Sequence, residues 1–551
     1  MNLRPCGNWL RLGLGLLFGC ILTAPVFAKP SAAETARQVD QLLADEVFKD
    51  DTKLAPRASD ATFLRRVWLD IVGDIPTPEH VTAFLIDPDP QKRERVVREL
   101  LDNPQYGQNW ARYWRDVILV RRLEDRAAIV ANSLVVTLTE KLNENESWDK
   151  VAAEFITATG DVKENGATAI QMAQDGRTEE TAAEMSRIFL GIQIQCCQCH
   201  DHPYDSWKRE QFHEFAAFFP RIAVRPVLAP TRRSFEVLAD DGPERRRPNP
   251  NAEGRRGQAE HYMPDLNDPA APGTRMQPKF FLSSAKLKFG TLDAERRATL
   301  ARWMTKSPWF ATAFVNRMWA ELVGEGFYEP IDDIGPERSA SAPKTVELVS
   351  RSFAESGYDV KWLVQTICAT EAYQRECRPR REVDGTPFVA NVAQPLRSDQ
   401  LYNALLTAAD ADESDESQNR RGRRRPQMMG PYGRAATART QFETTFGYDP
   451  SDPRETVTSS IPQALAMMNG MRINLAVRAI GRETVLGRLL DEITENEPLV
   501  EELYLRTLSR EPTEKEMKTA IQFVRSTPSR SAAFEDLYWA LLNSSEFSHR
   551  R

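Results

Sequence analysis

Met185-Ser186-Arg187-Ile188-Phe189-Leu190-Gly191-Ile192 is followed three residues later by Gln195-Cys196-Cys197-Gln198-Cys199-His200-Asp201-His202-Pro203. Met185, Ile188, Phe189 and Ile192 recur at i, i+3, i+4 and i+7, the spacing that gives a helix one apolar face to bury. This helix leads straight into a cluster of thiols and imidazoles. Similar signals extend outward on both sides. Thr77-Pro78-Glu79 reads as a helix start with Val81, Phe84 and Leu85 on one face. Thr513 and Glu516 form a capping box ahead of Met517, Ala520, Ile521 and Val524, and Phe534, Leu537, Tyr538 and Leu541 repeat the spacing. Between these helical halves the composition changes. Seven prolines lie between Asp240 and Phe280, and Ser234-Phe235-Glu236-Val237-Leu238 and Lys279-Phe280-Phe281-Leu282 read as short strands. The pattern predicts a mainly α protein: two helical domains, 29–220 and 292–551, joined by a β-containing, Pro-rich connector over 221–291.

The 551 residues are 41% hydrophobic and 27% charged, enough for several cores. A net charge of −7 argues against nucleic acid as a partner of the whole protein. Arg4 and Arg11 precede the apolar run Leu12 to Phe27, and Val26-Phe27-Ala28 offers small residues at a cleavage point, so 1–28 reads as a signal peptide. Export to the periplasm or cell envelope follows from that reading. Cys20, after Leu17-Phe18-Gly19, offers lipid anchoring as an alternative. No later run reaches the ~20 apolar residues that span a bilayer. Two polar stretches read as disordered or mobile: Arg245 to Gly257, and an insertion over 410–436 in which Asp412-Glu413-Ser414-Asp415-Glu416 precedes Arg420, Arg421, Arg423, Arg424 and Arg425.

Of seven cysteines, five lie beyond residue 28: Cys196, Cys197, Cys199, Cys368 and Cys377. An odd number rules out a framework made only of internal disulfides. Cys196-x-x-Cys199-His200 is the attachment sequence of c-type haem, in which two thiols reach the two vinyl groups and the next imidazole ligates iron. Met263 is a candidate sixth ligand, with His202, His213 and His261 as competitors. A second reading closes Cys196 and Cys199 into a disulfide, with Cys197 paired to Cys368 or Cys377. A third makes Cys196, Cys199, His200 and His202 ligands of zinc or copper. Motifs for acyl transfer, zinc proteolysis, phosphate cradling and dinucleotide binding are missing. Asp332-Asp333 and Asp449 with Asp452 could in principle serve glycoside hydrolysis, although adjacent carboxylates in a chain with 79 acids are usually caps or solvated faces. Trp110, Trp114, Trp303, Trp309 and Trp319 read as core residues, with sugar stacking as the alternative.

A resemblance joins these pieces. Phe63-Leu64-Arg65-Arg66-Val67-Trp68-Leu69-Asp70, Gly73-Asp74-Ile75-Pro76-Thr77-Pro78, Tyr106-Gly107 and Trp110-Ala111-Arg112-Tyr113-Trp114 resemble the planctomycete cytochrome-like PSCyt domain. Phe189-Leu190-Gly191, the Cys-x-x-Cys-His-Asp-His-Pro sequence and Phe215-Ala216-Ala217-Phe218-Phe219 are similar to its central motif, with Cys197 in place of a small residue. Trp309-Phe310-Ala311, Phe314-Val315-Asn316-Arg317-Met318-Trp319 and Ile461-Pro462-Gln463-Ala464-Leu465 with Met468-Asn469 resemble the companion PSD domain. The resemblance implies an exported two-domain protein of a family of unknown function, working beside polysaccharide or sulfatase systems. The expected function is that of a cell-envelope redox or electron-transfer protein with a redox partner. The alternative is a structural or interaction protein whose cysteines and histidines form disulfides or hold a metal.

Overall fold

The helix read over 185–192 runs Thr178–Leu190. Glu179 and Glu180 occupy its first turn, where carboxylates complement the helix dipole. Gly191 ends it at φ 67°, a left-handed conformation that glycine adopts without Cβ strain. The computed structural model of the protein describes residues 29–229, 232–242, 259–268, 270–378, 385–411, 438–452, 457 and 460–551. The expected signal peptide, the 245–257 loop and the 410–436 insertion lie outside the described residues, except Asp410 and Ala411.

The protein is mainly α, as expected. The start read at Thr77 is the helix Pro78–Ile86, and the capping box at Thr513 opens Glu514–Ser526. Among the described residues, no helix is long and apolar enough to cross a membrane. The connector carries an antiparallel hairpin, β2 (Ile222–Ala229) on β3 (Arg232–Ala239), which β1 (Gly160–Asp161) joins in the order β1-β3-β2. Register is set by Val224 opposite Val237 and Gly160 opposite the same Val237. A second hairpin pairs β4 (His261–Met263) with β5 (Thr274–Met276). The run 279–282 is not a strand. It makes one bridge, Lys279 to Lys286, because Phe280 and Phe281 turn inward, Phe281 reaching 5.2 Å from the Trp207 ring and 5.1 Å from Phe215.

The main core runs across the connector. Trp114 and Trp148, from the first helical stretch, pack on Phe314, from Pro308–Val323, at 5.8 and 4.5 Å between rings. Trp110, Trp114 and Trp319 are buried, and Trp303 and Trp309 pack against the same core. A second core joins Leu69 and Ile75 to the C-terminal helices through Leu401, Leu503, Phe534 and Tyr538.

Candidate functional site

After Gly191 the chain doubles back along the helix that delivered it. Ile334 N donates to the Gly191 carbonyl at 2.7 Å, and the amides of Gln195 and Gln198 donate to Glu180 in the first turn, at 3.1 and 3.5 Å. A short 3-10 turn, Gln195–Gln198, then separates the three neighbouring thiols. Cys196 and Cys199 are exposed, and Cys199 N donates to the Cys196 carbonyl at 3.4 Å. Cys197 points the other way. Its sulfur is fully buried, 3.7 Å from the Trp207 carbonyl, and burial pushes its thiol up to about 12. The thiol that takes the place of a small residue is thus a core residue.

His200 follows Cys199 at the surface, and its Nδ1 donates to the Asp201 carbonyl at 2.7 Å. A carbonyl only accepts, so the neutral ring keeps its proton on Nδ1 and its lone pair on Nε2. Metal-ligating histidines commonly have this arrangement. His202 is wired oppositely: its Nδ1 accepts from Tyr204 N at 3.3 Å, which leaves the proton of the neutral ring on Nε2. The Asp201 carboxylate accepts from Arg209 N at 2.9 Å and pairs with Lys208 at 3.1 Å, contacts that hold its carboxyl below the usual range. Asp205 lies against Gly335, where a Cβ would come within 1.8 Å of Oδ2, so a larger residue there would displace the Asp205 carboxylate.

Behind the loop, two of the histidines named as ligand candidates, His213 and His261, instead meet each other in a buried polar relay. His213, in the helix Arg209–Ala216, donates from Nε2 to the Gln198 carbonyl at 3.0 Å, and its Nδ1 lies 2.9 Å from Nε2 of His261 on β4. Since Nε2 of His213 must donate, Nδ1 of the neutral ring accepts from His261. His261 Nδ1 is 3.9 Å from Glu179. Burial, followed by the His261 charge, pushes His213 down to about 4. Both nitrogens of His213 are thereby engaged. Met263 is half-buried two residues beyond His261, and Arg209 ties its strand to the loop by donating to the Gln198 and Pro264 carbonyls at 3.1 and 2.6 Å.

The remaining candidates are dispersed. Cys368 is buried in Val360–Ala369, and Cys377 accepts from Arg66 at 3.5 Å. Among the described residues all five cysteines are free, and no three His, Cys, Asp or Glu side chains are grouped closely enough to hold a metal. Asp332 is buried between Arg187 at 3.1 Å, Arg317 at 3.4 Å and the Gln193 amide at 2.6 Å. Although burial opposes its charge, the two guanidiniums hold its carboxyl below the usual range, the opposite of what a general acid needs. Asp333 pairs with Arg338 at 2.7 Å and Asp449 with Arg121 at 2.8 Å.

Residues 38–224 match the family model PSCyt2, a protein of unknown function (DUF1549), and residues 296–524 match PSD1, a protein of unknown function (DUF1553). The surface loop, Glu179 and His213 lie within the first match, His261 and Met263 fall between the two, and Arg317 and Asp332 lie within the second. No curated protein and no solved structure matches the chain.

Proposed function

From a chain that carries a PSCyt2 domain followed by a PSD1 domain, we propose an exported cell-envelope redox protein whose Cys196–His202 loop is the attachment site of a c-type haem. The observation that carries this reading is the separation of the three thiols: Cys196 and Cys199, three residues apart, face solvent, while Cys197 faces Trp207. Thioether formation needs two accessible sulfurs at that spacing and an imidazole beside them. The residues fit. Cys196 and Cys199 would hold the group, and His200, its Nδ1 proton fixed on Asp201, would present Nε2 to the iron. Bound haem would supply one-electron transfer at a potential set by its axial ligands and its burial. Met263 is the favoured second ligand, because Arg209 holds its strand to the loop.

Expression of the mature chain with a haem-c maturation system tests this. The expected product has a covalent haem mass and a sharp α band, both retained in Cys197→Ala and reduced or lost in Cys196→Ala and Cys199→Ala. A colourless protein at apoprotein mass would overturn the reading. A second reading, disulfide or metal chemistry at Cys196 and Cys199, draws on the same two exposed sulfurs. Thiol titration and metal analysis of the colourless product distinguish these two.

A further inference from the structure

Gln105, Gln108 and Arg112 lie at i, i+3 and i+7 of the helix Gln105–Leu119, whose other positions Tyr106, Trp110 and Tyr113 are buried. Such spacing places all three on one face. The Ser398–Ala408 helix and the turn after Asp60–Val72 do not close over that face, and a polar cavity of about 390 Å³ remains between them. Arg439 and Asp74 complete its charged lining.

The charges in the cavity are unevenly matched. Arg439 donates to Asn403 at 2.7 Å and contacts Glu443, and Arg115 pairs with Asp116 and Glu443 at 2.8 and 3.0 Å. Arg112 makes no hydrogen bond or ion pair with any described residue. It is half-buried, and burial, then the Arg439 charge, lowers its pKa against the opposing pull of Asp399 and Glu443. Asp399 and Glu443 act on it only from beyond contact distance, so the half-buried guanidinium keeps its forked donor array free for an oxyanion. The side chains of Gln105 and Gln108 likewise bond to no described residue, and each offers a donor and an acceptor. Across the cavity the Asp74 carboxylate accepts from Thr407 and Ile75 N, each at 2.7 Å. Few apolar side chains line the space, so it suits a hydroxylated ligand better than a hydrocarbon.

We propose that this cavity binds a monosaccharide-sized polyol bearing one oxyanion, a sugar acid or a sugar phosphate, with the oxyanion on Arg112 and the hydroxyls on Gln105, Gln108 and Asp74. Its volume lies within the ~300–1,000 Å³ typical of small-ligand sites. The site is independent of the thiol loop.

Calorimetric titration of the full chain at low salt with glucuronate, glucose 6-phosphate, glucose and inorganic phosphate tests the proposal. At least one sugar anion should bind saturably and more tightly than either glucose or phosphate. The stronger of the two identifies the oxyanion. Arg112→Gln should weaken it about tenfold or more, and the exposed Gln108→Ala several-fold with an unchanged melting curve. Several outcomes would overturn the proposal: no saturation by either sugar anion up to about 10 mM, affinity unchanged in both variants, or phosphate binding as tightly as the sugars. Binding that appears only after residues 412–436 are removed would also overturn it, in favour of the chain's own carboxylates as the anion.

Discussion

Cys196, Cys197 and Cys199 have the same side chain, and four residues of 3-10 turn decide which sulfurs meet solvent. The imidazoles divide similarly. His200 is held at the surface with its Nε2 lone pair outward, whereas His213 is locked beneath the loop between a carbonyl and a second ring. Burial of His213 has a consequence for stability against acid. Its folded value, about 4, lies below the ordinary 6.5, so the unfolded chain binds the additional proton. The contribution of the neutral ring is fully present above about 6.5 and falls away as pH drops toward about 4. The groups facing it act in both directions, His261 and Arg209 against its charge and Glu179 in favour. Thermal melting between pH 7 and 4 should show this decline, and His213→Gln should flatten part of it. A variant with the wild-type pH slope would remove His213 from the acid response.

At the scale of the element, the Thr178–Leu190 helix and its exit set the direction of the loop. Gly191 takes φ 67°, and a Cβ there would sit 2.8 Å from Ile334 Cδ1 and 3.1 Å from Ala313 Cβ. Gly191→Ala therefore combines a left-handed backbone cost of about 1–2 kcal/mol with a clash inside the core. We expect a loss of at least that size in chemical denaturation, together with faster alkylation of Cys197 as the loop loosens. Wild-type stability would show that the turn can be made without glycine. The strands follow a different rule: Ser234–Leu238 lies in the ladder with β2, while Phe280 and Phe281 leave any ladder to fill space beside Trp207 and Phe215.

At the scale of the molecule, the first matched region is stitched to the second and to the C-terminal segment beyond it. Arg187 from the first reaches Asp332 from the second, Arg65 donates to the Thr507 and Phe547 carbonyls, and Arg550 pairs with Asp70. Ion pairs this deeply buried do not tolerate the loss of one partner, a change that costs about 3–5 kcal/mol. Residues 29–220 and 292–551, produced as separate chains, should each lack cooperative unfolding and bind hydrophobic dyes, because Trp114, Trp148 and Phe314 would lose their packing partners. Two separate cooperative transitions would show instead that each region folds alone.

Helix starts and ends are legible along the chain, because caps, glycines and apolar spacing act within a few residues: Thr513 with Glu516, Pro78 and Gly191 are each read locally. The sequence likewise sets the covalent spacing of Cys196, Cys199 and His200. It did not determine burial. The Thr178–Leu190 helix reads as one apolar stripe, yet Glu184 and Arg187 on its other faces are also buried, because Asp332 and Ser451 arrive from far along the chain to meet Arg187. It took the packed chain to turn Cys197 inward, to bring His213 onto His261 across 48 residues, and to leave Arg112 with no carboxylate in contact. These are matters of which distant groups share a desolvated space, and no local periodicity encodes them.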